Sequence, residues 1–258
     1  MPDPPVGESE PLPALGSVVF EEGDLYSLSE GLSRDPQYND RRLELRRKLG
    51  ALAKDFVAAP RSPALALLSR TSLHNPHAFN KNRVRRIWAY ITRDKAEKGR
   101  LRRVVGADLA KDLDAAYRNA YFCLAVEAER VEVSLRIHAD AWFDGQNFKR
   151  RVAAQGTAEL VGLLNELDGF FLRLDDWKGD WRCGELDRTR LEEFFRYYEP
   201  GTHALTLERS FPAPAAQPAV RSALFAPGVG ASLVQELRRL EPAYRYAAWS
   251  KTSDHLFG

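Results

Sequence analysis

The chain has 258 residues, 44% of them hydrophobic and 29% charged, with a formal charge of +2. That length buries a full core and that balance is ordinary for a soluble globular protein, which excludes a disordered or fibrous chain. A net charge so near zero supplies no global field toward nucleic acid or membrane, so binding of either kind has to come from a local patch. Of the 38 basic residues 29 are Arg and 9 are Lys, a bias that, together with the abundant Ala, Leu and Pro, matches a GC-rich genome.

The opening MPDPPVGESEPLP is acidic and Pro-rich, without the basic start or apolar core of a secretory leader. Residues 1–16 are expected to form a flexible tail and 17–258 a single domain. Residues 20–34 mix short apolar pieces with turn residues. The first strongly periodic element covers 40–58, where Leu45, Leu49, Leu52 and Phe56 recur at helical spacing and Pro60 ends the run. ALALLS at 64–69 predicts a buried strand. A loop carrying His74 and His77 follows, and VRRIWAYIT at 84–92 predicts the next strand. Residues 94–117 read as helical, with Leu101, Val105, Leu109, Leu113 and Ala116 on one side and Gly99 and Gly106 as weak points.

Residues 119–151 hold the clearest pattern. Residues 121–126 are apolar at every position, as in a central strand covered on each side. Val131, Val133, Leu135 and Ile137 then alternate with Glu132, Ser134, Arg136 and His138, which puts four polar side chains on one face. Residues 144–167 turn helical with a break at Gly156, and Thr157 is placed to cap the second piece. FFLRLDDW at 170–177 and the stretch 181–186 read as a hairpin across Lys178 and Gly179. Asp187 caps a helix that faces Leu191, Phe194, Phe195 and Tyr198 inward, and Pro200 with Gly201 stops it. Residues 203–209 alternate as a strand, and FPAPAAQP at 211–218 is a Pro-rich loop. Ser232 with Gln235 forms a capping-box signature for a final helix reaching Leu240, and the aromatic tail AYRYAAWSKTSDHLF is expected to pack on the body. The order strand–strand–helix, three times, then strand and helix, predicts an α+β fold. Its sheet is largely antiparallel, built from strand–strand–helix units with helices packed on one side.

No motif has the specificity of a P-loop, a zinc site or a catalytic triad. Cys123 and Cys183 lie 60 positions apart, without His or Cys at ligand spacing, and are expected to be reduced core thiols of a cytoplasmic protein. No apolar run approaches the ~20 residues of a membrane span. Three constellations remain. Glu132, Arg136, His138, Arg173 and Asp175 share a polar sheet face if the two hairpins lie side by side, where they form either a mixed-charge cleft or a solvated row of ion pairs. Asp168, Asp176 and Lys178 have the order of two carboxylates and a lysine that can hold Mg²⁺ and an attacking water; no cofactor is expected outside that nuclease reading. Residues 81–103 carry ten basic side chains against Asp94 and Glu97, a local charge of +8 by subtraction. Arg83, Arg85, Arg86, Lys95, Arg100, Arg102 and Arg103, with Trp88 as a stacking surface, are the nucleic-acid candidates.

The run RVEVSLRIH, followed by a helix and FFLRLDDWKGDWRC, resembles an uncharacterised bacterial domain found behind restriction-type nuclease modules. That resemblance touches Arg130 to Glu132 and Leu172 to Asp176, and it implies a role related to DNA or antiviral defence without assigning a catalytic residue. The expected function is therefore nucleic-acid binding, to DNA or RNA, in a bacterial nucleic-acid-processing or defence complex. The alternatives are a protein-interaction subunit without catalysis, and a metal-dependent nuclease.

Overall fold

The computed structural model describes residues 18–111, 113–177, 179, 181–213 and 223–257. The expected tail at 1–16 lies outside the described residues, as do Lys178 and most of the Pro-rich stretch 211–218. The helices are α1 (Glu22–Tyr26), α2 (Asn39–Ala58), α3 (Lys95–Val105), α4 (Trp142–Gln155), α5 (Ala158–Asn165), α6 (Arg188–Tyr197), α7 (Val229–Arg239) and α8 (Glu241–Ala247). The strands are β1 (Leu67–Thr71), β2 (Arg86–Arg93), β3 (Tyr121–Glu127), β4 (Arg130–Ile137), β5 (Phe171–Leu174), β6 (Trp181–Arg182) and β7 (Leu205–Pro212). Three strand–strand–helix units and a closing strand and helix follow one another, as the pattern predicts. All pairings are antiparallel and the order across the sheet is β1-β2-β3-β4-β7-β5-β6. The second and third hairpins do not lie side by side, because β7 returns to fill the place between β4 and β5.

One sheet face holds the core. Ile87, Ala89 and Ile91 of β2, Phe122, Leu124 and Val126 of β3, and Val131, Val133, Leu135 and Ile137 of β4 are buried there. They pack in one apolar cluster with Leu45, Leu49, Leu52 and Phe56 of α2. Full burial of each such side chain contributes about 1.5–3 kcal/mol, so this stripe is what holds α2 on the sheet. The α2 helix also carries a fully buried Arg42, which donates from Nε to the Ser27 carbonyl at 3.2 Å and from Nη1 to that of Asp35 at 3.1 Å. It thereby ties the 27–35 loop onto the helix. The C-terminal tail packs on the body as expected, with Tyr244, Tyr246, Trp249 and Leu256 buried.

Several local expectations change. The helix predicted over 94–117 stops at Val105, because Gly106 takes φ +85, a conformation that costs a non-glycine residue. Leu109, beyond that stop, is 60% exposed. Ser232 and Gln235 do not start the helix predicted to reach Leu240: α7 begins at Val229 after Gly228, the Ser232 hydroxyl donates back to the Gly228 carbonyl at 3.4 Å, and a further helix, α8, follows. Thr157 makes no cap, and its buried hydroxyl has no partner among the described residues. Asp187 does cap α6, accepting from the Arg190 amide at 2.8 Å. β3 is central and buried on each side; among the described residues helices cover one of its faces, and the other belongs to the site.

Candidate binding face of the sheet

Strand alternation sends every second side chain to the face away from α2 and α7. None of these strand residues belongs to the apolar core cluster. The pairing register places them in rows that run across the strands. One row joins Trp88, Ala125, Glu132 and Ser210. The next joins Arg70, Tyr90, Cys123, Ser134, Glu208, Phe171 and Arg182. A third joins Thr92, Tyr121, Arg136, Thr206 and Arg173. The small residues at the centre leave room for arginines to lie down over them. Cys123 and Ala125 are buried, and the Arg86 Nη2 stands 3.9 Å from the Cys123 sulfur. The apolar run 121–126 is thus covered on each side as expected, by helices on one face and by side chains of its own sheet on the other.

Glu132 sits 1% exposed at the middle of this face. Its Oε1 accepts from the Ser134 hydroxyl and from Arg136 Nη2, each at 2.6 Å, and its Oε2 accepts from Arg86 Nη2 at 3.2 Å. Burial alone would raise this carboxyl, but the Arg86 and Arg136 guanidiniums outweigh it and hold it below the ordinary carboxylate range. Glu208 on β7 is the second anchor, 3.3 Å from Arg173 Nε, 3.9 Å from Arg136 and 4.0 Å from Arg130. Across the strands this face carries Arg70, Arg86, Arg130, Arg136, Arg173 and Arg182 against Glu127, Glu132 and Glu208, an excess of three positive charges by subtraction. Between them stand rings: Trp88 at 38% exposure, and the half-buried Tyr90, Tyr121 and Phe171. Tyr90 and Tyr121 meet edge to face at 6.4 Å, and the Arg173 guanidinium lies 5.1 Å from the Phe171 ring centre. Burial pushes the Tyr121 phenol up to about 12, so it remains a neutral ring.

Of the five residues expected on a polar face, Glu132, Arg136 and Arg173 come together here, linked through Glu208. Asp175 lies past the end of β5, where its Oδ1 caps the Ala204 amide at 3.0 Å. His138 follows β4, with its ring 5.7 Å from that of Tyr117 and its Nδ1 3.4 Å from Asp140. Six residues of strand put it about 20 Å from Glu132. A carboxylate saturated by arginines and a distant histidine make no acid–base pair.

The basic stretch is divided among directions. Arg86 and Trp88 belong to the open face. Arg85 precedes β2 and pairs with Glu30, and Arg83 stands half-buried in the loop before it. Lys95, Arg100, Arg102 and Arg103 are exposed on α3, where Arg100 pairs with Glu97. The carboxylates of the nuclease constellation are also separated. Asp168 stands before β5, 3.8 Å from Arg182, while Asp176 stands after it, accepting from the Tyr197 hydroxyl at 2.8 Å. The intervening strand alone spans about 13 Å, too far for one metal ion, and Lys178 lies outside the described residues. Among the described residues no three His, Cys, Asp or Glu side chains gather as a metal site. No described helix is long and apolar enough to cross a membrane.

Sequence reasoning missed Arg70, Tyr121, Phe171, Arg182 and above all Glu208. The signal for Glu208 was present, since Thr206, Glu208 and Ser210 alternate with Leu205 and Leu207 as the β4 residues do. No protein-family model matches the chain, and no curated protein matches it.

Proposed function

We propose that the open sheet face binds single-stranded nucleic acid. One observation carries this reading: an antiparallel sheet face without a helical layer among the described residues presents stackable rings from β2, β3 and β5, with six arginines and three glutamates on its strands. Base stacking on an aromatic ring is worth about 1–3 kcal/mol per base and tolerates any sequence. Each guanidinium has five donors in a planar fork. Those of Arg86 and Arg136 are held in place by Glu132, so a phosphate contact there costs little side-chain freedom. From β2 to β5 is four strand spacings, about 19 Å, a platform for several nucleotides. A duplex, with its bases stacked inside, offers such rings nothing. The resemblance of 130–132 and 172–176 to the bacterial domain named above supports a place in a nucleic-acid-processing or defence complex.

The test is fluorescence anisotropy with labelled single- and double-stranded DNA and RNA across a salt series. Expected are tighter binding of single strands than of duplexes and an affinity that falls linearly in log–log with salt. Trp88→Ala is expected to weaken binding about 5- to 100-fold, and Arg173→Ala to reduce the salt slope. An absence of binding to any strand at low salt would overturn the reading and favour a protein partner for this face.

A further inference from the structure

The loop between β1 and β2 leaves the sheet at Trp88. The Ser72 amide donates to the Trp88 carbonyl at 2.9 Å, and the Trp88 amide donates to the Ser72 hydroxyl at 3.1 Å. The root of the loop is therefore the strand position that carries the exposed ring of the open face. Both arms of the loop are fastened to the body: the Val84 amide donates to the Ser33 carbonyl at 2.7 Å, and Arg46 Nη1 stands 3.3 Å from His74 Nδ1. From Arg70 to Arg93 the chain carries Arg70, Lys81, Arg83, Arg85, Arg86 and Arg93 and no Asp or Glu.

At the turn of this loop Phe79 is 87% exposed, more than any other large hydrophobic side chain among the described residues. Its backbone is held firmly. The His77 amide donates to Asn80 Oδ1 at 2.8 Å, and the Asn80 and Asn82 amides each donate to the His77 carbonyl at 2.9 Å. The Lys81 amide donates to the Ala78 carbonyl at 3.1 Å, and Asn80 Nδ2 donates to the Asn75 carbonyl at 2.8 Å. Lys81 and Asn82 follow at φ 56 and 55, the only non-glycine residues at positive φ among those described. Side chains disfavour that region, and backbone strain fixed by its surroundings gathers where proteins clamp ligands. A hydrogen-bonded frame with two left-handed residues thus holds out a ring that gives its own fold almost no burial. Lys81 is exposed and Arg83 half-buried beside it in the chain.

We propose that Phe79 is a stacking finger: it takes a base of the nucleic-acid strand where that strand runs off the sheet past Trp88, with Lys81 and Arg83 on the adjoining phosphates. This rests on the strand-binding reading of the open face. Every base has a π-face that an aromatic ring covers whatever the sequence. A ring fixed in advance in its binding position loses little freedom when the ligand arrives. The acid-free stretch around the finger suits a phosphate chain, whose counterions its cations replace.

Fluorescence anisotropy at low salt with a labelled single-stranded tetranucleotide, which the sheet platform accommodates, and a dodecanucleotide, which runs beyond it, tests this. Position 79 is exposed, so its substitutions leave the fold intact. Phe79→Ala is expected to weaken the dodecanucleotide about 5- to 100-fold and the tetranucleotide less than twofold, whereas Trp88→Ala weakens both. Phe79→Trp is expected to bind the dodecanucleotide as the parent does, and Phe79→Leu, apolar without a π-face, to behave as Phe79→Ala. If the parent binds the dodecanucleotide and Phe79→Ala binds it equally well, the finger is overturned while the sheet reading stands. Capture of the parent but not of Phe79→Ala by phosphatidylserine vesicles, alongside that result, would assign the ring to a membrane surface instead. Equal weakening of both lengths, or full replacement of Phe79 by Leu, would also overturn the stacking position proposed. If the parent binds neither strand, the sheet reading falls and the finger with it.

Discussion

Arg93 at the end of β2 and Asp144 in α4 form an ion pair whose side chains are 3% and 1% exposed. Asp144 also accepts from the Ala120 amide at 2.6 Å through Oδ2, so one carboxylate joins β2, the entry to β3, α4 and the tail at Trp249. Removing one partner of a buried pair leaves an uncompensated charge and costs about 3–5 kcal/mol, whereas replacing both with apolar residues costs less. Asp144→Asn is therefore expected to lower Tm by roughly 10 °C, and the double variant Arg93→Met with Asp144→Leu to recover part of that loss. Urea unfolding of the three proteins checks it. A single variant within 1 kcal/mol of the parent would show that the pair is not the junction described.

Glu132 makes a second prediction, through pH. Its carboxyl is lowered in the folded protein by Arg86 and Arg136 despite burial, so the unfolded chain takes up its proton first as pH falls. The stabilisation is full above the unfolded value, about 4.3, and is lost as pH falls through the folded one. At pH 7 Glu132→Gln is expected to be less stable by roughly 2 kcal/mol, given charged hydrogen bonds whose arginine partners are half in solvent. At pH 3 the gap is expected to narrow. A gap of the same size at both values, from urea midpoints, would assign the loss to packing and not to charge.

Which parts of this architecture were legible follows from the range over which each signal acts. The α2 stripe and the alternation of β4 are local periodicities, and both appear in the structure where the residues put them. The place of β7 between β4 and β5 depends on pairing over seventy residues, which no local pattern carries, so Glu208 stayed apart from Arg136 and Arg173 in the sequence although it joins them. The basic stretch 81–103 misleads for the opposite reason. Its density is local, but strand alternation and helical rotation turn Arg85, Arg86 and Arg100 to different sides. Tyr121 to Val126 shows a further ambiguity: a residue buried under a neighbouring arginine has the same apolar character as one buried under a helix.

The cysteines provide a chemical reading of that cover. Cys123 lies beneath Arg86, and Cys183 closes β6 against the core; both are free and buried. Burial pushes the Cys183 thiol up to about 12 and raises Cys123 as well, with Arg86 and Arg136 opposing the rise. Thiolate is the reacting species, so neither is expected to react with a disulfide reagent at pH 8 until the protein unfolds. Arg86→Ala uncovers Cys123 alone, and one thiol of two is expected to become reactive in the folded variant. If both thiols of the parent react within minutes, the arginine layer does not lie over the sheet as described.

Three glycines inside helices separate packing from propensity. In a helix interior Gly→Ala ordinarily stabilises, by about 0.8–1.0 kcal/mol. A Cβ at Gly99 in α3 or Gly162 in α5 would meet nothing within 4 Å, so both substitutions are expected to raise Tm by a few degrees. At Gly145 in α4 a Cβ would stand 2.8 Å from the Tyr198 hydroxyl and 2.9 Å from the Pro200 Cβ. Tyr198 is itself 1% exposed and Pro200 is buried. Overpacking of this kind costs about 1–3 kcal/mol, which outweighs the helical gain, and Gly145→Ala is expected to lower Tm. Thermal unfolding of the three variants decides the matter by sign. A rise at Gly145 would mean that the turn carrying Tyr198 and Pro200 yields, and that α4 is not clamped against the end of α6.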